Sequence, residues 1–146
     1  MRLVLIALLA YGVFGHVLIP LKIDGESMAP TYADGGFNFC WRPAYLFDDP
    51  QRFDVVAIRL AGRRIMLLKR IVGLPGEAVS FRKGRLYING QPLDEPYVRY
   101  QVHWEMAPVG VKTDQLFVVG DNRGVPMERH QFGLVNRKRI LGEVLW

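Results

Sequence analysis

The chain has 146 residues, a formal charge of +5 and 50% hydrophobic content, enough for one domain and more apolar than a soluble chain of this size requires. Its single cysteine, Cys40, excludes an intramolecular disulfide. Neither a metal-ligand cluster nor a phosphate-binding glycine loop is present, so metal-dependent and ATP-dependent chemistry are not expected and no cofactor is implied.

The apolar excess sits at the N-terminus. Leu3 to Leu21 holds no Asp, Glu, Lys or Arg and is interrupted only by His16 and Pro20. As a helix, this run spans a hydrocarbon core of about 30 Å. Residues 1–21 are therefore expected to form a transmembrane anchor, with residues 22–146 as an extracytoplasmic domain. Arg2 and the free amine place the N-terminus in the cytoplasm, although Lys22 weakens the charge contrast. A cleaved secretory signal is the competing reading, but the run is long for one and no clear Ala-x-Ala site follows.

Asp24-Gly25-Glu26-Ser27-Met28-Ala29-Pro30-Thr31-Tyr32 is rich in turn residues and presents one serine. A serine attacks poorly unless a neighbouring base takes its proton. His16, His103 and His130 show no triad spacing. The aromatic run Phe37 to Trp41 reads as a strand whose stripe either faces the core or dips into a membrane interface, with Cys40 as packing. Pro43 to Arg52 reads as an exposed loop.

Asp54 to Leu60 and Ile65 to Val72 follow as strands. With a period of two, Leu67, Lys69 and Ile71 share one face, and Leu68, Arg70 and Val72 the other. An ammonium on an apolar face loses hydration, which lowers its pKa and lets Lys69 accept a proton. The alternative is a lysine whose stem lies on the core while its head reaches water. A Ser–Lys dyad is the economical pairing for Ser27.

Further strands are expected at Glu77 to Phe81, Leu86 to Ile88, Leu116 to Val119 and Ile140 to Leu145. Turns are expected at Arg82-Lys83-Gly84-Arg85 and Asn89-Gly90. Gln91 to Asp114 reads as irregular and polar. The fold class is mainly β, with one N-terminal helix. Positive charge is spread along the chain, with clusters at Arg63-Arg64 and Arg82 to Arg85. Contact with anionic lipid or plain solvation accounts for it more simply than nucleic acid, which is not an expected partner.

Four stretches carry a resemblance: Gly25-Glu26-Ser27-Met28-Ala29-Pro30-Thr31, Lys69 to Glu77, Leu86-Tyr87-Ile88-Asn89-Gly90 and Val119-Gly120-Asp121-Asn122-Arg123. In this order they resemble the type I signal peptidases, membrane-bound serine proteases with a Ser/Lys dyad, here in a compact form. The resemblance implies a signal-peptidase-like β-sheet or barrel domain at the plasma (inner) membrane that cleaves signal peptides from exported preproteins. It implies Ser27 as nucleophile, Lys69 as general base and the Ser27 N–H as oxyanion donor. Gly25 stands where some members add a serine hydroxyl to that hole. Ile23, Met28, Tyr32 and Leu68 would line the pockets for small substrate side chains. Asp121, Asn122, Arg123 and Glu128 would support the site.

The last motif departs from the family. Pro126 stands where a serine would orient the lysine, Glu128 fits the acidic position, and His130 occupies the usual arginine position. These departures keep open a dedicated pilin-maturation peptidase, or a catalytically weak homologue that only binds signal peptides. A self-cleaving repressor-type regulator is disfavoured, since the chain shows no DNA-binding segment.

Overall fold

The computed structural model describes residues 2–59 and 66–145. Leu60, Ile65 and the Arg63-Arg64 cluster lie outside the described residues. Two antiparallel sheets carry the core. Strands β1 (Leu18–Lys22), β2 (Phe37–Trp41), β3 (Val55–Arg59), β4 (Met66–Gly73), β9 (Gln115–Val119), β10 (Gly133–Asn136) and β11 (Ile140–Val144) form the larger, in the order β1-β2-β11-β3-β4-β9-β10. Strands β5 (Ala78–Arg82), β6 (Arg85–Ile88), β7 (Gln91–Pro92) and β8 (Met106–Gly110) form the smaller, in the order β7-β6-β5-β8.

The mainly β expectation holds, and the expected strands fall within one or two residues of their positions. Both turn signals close hairpins. Lys83 and Gly84 adopt φ of 49° and 79°, and Asn89 and Gly90 adopt 51° and 79°, as tight hairpin turns require.

The N-terminal expectation needs correction. The helix α1 covers only Arg2–Gly12, continues as a π-helical turn at Val13–Val17, and gives way to β1. Among the described residues no helix is long and apolar enough to cross a membrane. Leu18 to Leu21 leave the helix because they pair with Trp41 to Asn38 of β2. Pro20, which cannot donate to a ladder, is tolerated there because β1 is an edge strand. The side of α1 that would face a core is empty: Leu3, Leu5, Leu8 and Leu9 are all more than half exposed.

Gln91 to Asp114 is also more ordered than its composition suggests. It contributes β8, and Trp104 is 1% exposed in the cluster with Phe81, Leu86 and Phe117.

The β4 alternation is as expected. Leu67 and Ile71 pack with Val56, Ile58, Leu116 and Val118, while Leu68 packs into the cluster of Met28, Tyr32 and Val55 on the opposite face. Strand β4 is paired to β3 along Met66 to Arg70, but its register with β9 begins only at Arg70. The other backbone edge of Met66 to Lys69 therefore lies beyond the register of β9.

Candidate active site

Strand β4 delivers Lys69 to a surface turn that carries Ser27. Lys69 is 2% exposed, and its Nζ lies 2.8 Å from Ser27 Oγ. Burial lowers the Lys69 pKa to about 8, while the negative charge of Asp121 pulls partly the other way. At 2% exposure the head is tucked against Ser27 at the cavity wall rather than extended into bulk solvent, so the lysine that merely snorkels does not describe it.

The turn is held from inside and from behind. Met28 is 1% exposed in the core, and the Tyr32 N–H donates to the Met28 carbonyl. Gly25, at φ 96°, donates its N–H to Asp34 Oδ1 at 2.8 Å. Behind Ser27, Gly120 to Arg123 acts as a backbone clamp. The Asn122 N–H donates to the Ser27 carbonyl at 3.1 Å, and its side-chain amide donates to the Glu26 carbonyl at 3.1 Å. A Cβ built on Gly120 would stand 2.2 Å from the Ser27 carbonyl oxygen. Gly120→Ala is therefore expected to push the serine off Lys69, lowering kcat by about a hundredfold for a shift near 1 Å. Single-turnover kinetics beside a circular dichroism melt would separate this from unfolding.

Asp121 ties the clamp to β4. It accepts from Arg70 Nε at 2.9 Å, from Arg70 Nη2 at 2.6 Å and from Thr31 Oγ1 at 2.5 Å. Arg70 also donates to the Phe53 carbonyl and lies 4.0 Å over the Tyr97 ring. Arg123 is buried away from the dyad. It donates to the Gly120 carbonyl at 2.8 Å and pairs with buried Glu95 at 2.5 Å, and Glu95 also accepts from Tyr97. Arg123 thus braces the clamp from behind.

Other expected site residues are not at the dyad. Ile23, Met28 and Tyr32 are buried in the core with Cys40 and Val144, and Leu68 packs against them. The cavity of about 310 Å³ at Ser27 is lined by Gly25, Leu67, Lys69, Asn122, Val125, His130 and Gln131. Sequence order brings Ile23, Met28, Tyr32 and Leu68 beside the motif, but burial draws the first three inward and half-buried Leu68 packs against them. Glu128 is exposed, with no hydrogen bond or ion pair among the described residues, so the acidic role expected of it is not filled. Pro126 is exposed as well. A second cavity of about 360 Å³ adjoins the first, sharing Leu67, Lys69, His130 and Gln131 with it. Among the described residues no group of His, Cys, Asp or Glu is placed to hold a metal ion.

Sequence reasoning missed Gly120 as a steric requirement and Glu95 and Tyr97 as a buried network. It also did not place His130 beside the lysine. A glycine before the Asp121 motif was visible; the contact it protects was not.

The family model described as "Signal peptidase, peptidase S26" matches residues 1–146. A probable signal peptidase I-2 of Synechocystis sp. is 34% identical over 141 residues, covering 92% of this chain and 65% of that protein. A signal peptidase I of Bacillus licheniformis is 31% identical over 151 residues, covering 96% of this chain and 81% of its own length. This chain thus spans a little under two thirds of the cyanobacterial relative. The crystal structure of a signal peptidase I from Enterococcus faecalis superposes with a TM-score of 0.54 at 31% identity, covering 67% of this chain and 98% of that one.

Proposed function

The chain belongs to the signal peptidase family, peptidase S26, and from that premise we propose that it is a serine endopeptidase cleaving signal peptides from preproteins with Ser27 and Lys69. The observation that carries this reading is a buried amine 2.8 Å from a serine oxygen. Its relatives' names favour general signal peptidase activity over a dedicated pilin peptidase or a binding-only homologue.

In the proposed mechanism, an extended substrate segment lies along the edge of Met66 to Lys69 beyond β9, where main-chain groups can hold it. Neutral Lys69 takes the Ser27 proton as Oγ attacks the scissile carbonyl. The Ser27 N–H, which no hydrogen bond among the described residues uses, donates to the oxyanion. The resulting Lys69 ammonium returns its proton to the leaving amine, leaving an acyl-enzyme. Water, deprotonated by Lys69, then attacks the ester, and the Lys69 ammonium returns that proton to Ser27 Oγ as the new C-terminal acid of the signal peptide leaves. Full chain in detergent micelles should cut a signal-bearing preprotein once, after a small residue, by mass spectrometry. An intact preprotein at high enzyme concentration would contradict the reading.

The N-terminal segment is proposed to enter the bilayer, with its amino end cytoplasmic and the sheets outside. The eleven residues of α1 and five of the π-helical turn make about 24 Å of helix, somewhat short of a full hydrocarbon core of about 30 Å. Exposed Phe37, Phe39 and Trp41 on β2 continue that apolar surface, and Phe14 meets Phe39 at 6.3 Å; such aromatics suit the interface. Leu5→Arg with Leu9→Arg is expected to move most of the protein from sedimented membranes to the supernatant. Retention equal to the wild type would contradict insertion.

A further inference from the structure

Lys69 has one hydrogen-bond partner among the described residues, Ser27 Oγ, while an ammonium offers three donors and a neutral amine two. A buried acceptor stands beside it. His130 is 8% exposed, and it shares with Lys69 the lining of both cavities. Its Nε2 lies 2.8 Å from the Asn122 carbonyl oxygen. A carbonyl only accepts, so Nε2 carries the proton and a neutral ring leaves a bare lone pair on Nδ1. That Nδ1 is buried and has no partner among the described residues. Such an acceptor is costly to leave unmade.

The ring is fixed in place. Trp104 meets it edge-on at 4.9 Å, and a Cβ on Gly120 would stand 2.7 Å from its Cε1. Pro126, which offers no hydroxyl, is exposed and lines neither cavity.

We propose that His130 is a positioning residue for the dyad, its Nδ1 accepting a hydrogen bond from a water in the shared cavity that also accepts from Lys69 Nζ, so holding the amine on Ser27. Burial, with the nearby charge of Lys69, lowers the His130 pKa to about 4, which keeps the ring neutral and the lone pair available at working pH. This inference rests on the proposed peptidase activity and goes beyond it in assigning a third residue.

Two amide variants separate the ring's atoms. Gln at position 130 reaches the Nε2 position, keeping a donor to Asn122 and losing the Nδ1 acceptor. Asn places its carbonyl oxygen where Nδ1 stands and loses the donor. With full chain in micelles and a synthetic signal-bearing peptide, His130→Gln is expected to lose about tenfold or more in kcat with KM nearly unchanged. His130→Asn is expected to lose at least about fivefold less than Gln. The reverse order, equal loss in both, or no loss in either would overturn the proposal, because the ring would then serve only to hold the Asn122 carbonyl or nothing at all.

Should a variant fail to fold, the 15N resonance of His130 Nδ1 in unmutated protein decides. It is expected to lie away from a free imidazole nitrogen and to return towards it in Lys69→Met; an unresponsive resonance would overturn the proposal. Wild-type protein that cleaves nothing would remove the underlying peptidase reading, whereas an active wild type with the wrong variant order removes only the role of His130.

Discussion

Lys69→Met is expected to abolish preprotein cleavage and, in the same protein, to raise thermal stability. In the proposed mechanism Lys69 is the base, so its loss would leave Ser27 a weak nucleophile, and a fall of about 10⁴-fold in kcat is expected. The fold gains because Lys69 is 2% exposed with its charged form held back by burial. Methionine fills a similar volume without a charge to desolvate. A gain of about 1–2 kcal/mol, several degrees in Tm, is expected at pH 7. The sign follows from linkage: the folded pKa is about 8, against about 10.4 for an unfolded lysine. Between these values the unfolded chain binds more protons, so wild-type stability rises with pH. The advantage of methionine is therefore largest below pH 8 and shrinks towards pH 10. Ser27→Ala should lose comparable activity without that gain. Melting curves at pH 7 and pH 10 test both statements.

Asp121→Ala carries the second large effect. The carboxylate is 1% exposed and accepts two bonds from Arg70 and one from Thr31. Removing it strands the Arg70 guanidinium, itself 8% exposed, and breaking one side of a buried pair costs about 3–5 kcal/mol. Urea unfolding should show that loss. Asp121 also supplies the charge that opposes the depression of Lys69. Whatever activity remains should therefore have its base limb at lower pH than the wild type. A limb that does not move would separate Asp121 from the electrostatics of the dyad.

The sequence and the structure agree most where local chemistry decides. Lys69 was legible because a charge at an apolar register position of a strand is conspicuous, and the hairpins at Gly84 and Gly90 because those turns demand positive φ. Disagreement arises where distant packing decides. An apolar run such as Leu3 to Leu21 reads the same as helix or strand, and only the pairing of Leu18 to Lys22 with β2 resolves it. Ile23, Met28, Tyr32 and Leu68 stand in the right order for a substrate pocket, but nothing local shows that the core claims the first three and partly buries Leu68. Glu128 fits the acidic position by counting, yet the turn at Met127–Arg129 turns it to solvent and brings His130 inward. Glu95 sits in a polar stretch and reveals its burial only through Arg123.

The central claim is that Lys69 works as a neutral base in its buried place beside Ser27. The pH dependence of kcat/KM on a signal-bearing peptide, read in unmutated protein, tests it most directly. The account predicts a rise with pH through a single ionisation near 8 and a plateau above it. A rise that continues to the ordinary lysine range near 10.4, or a profile flat from pH 6 to 10, would contradict it.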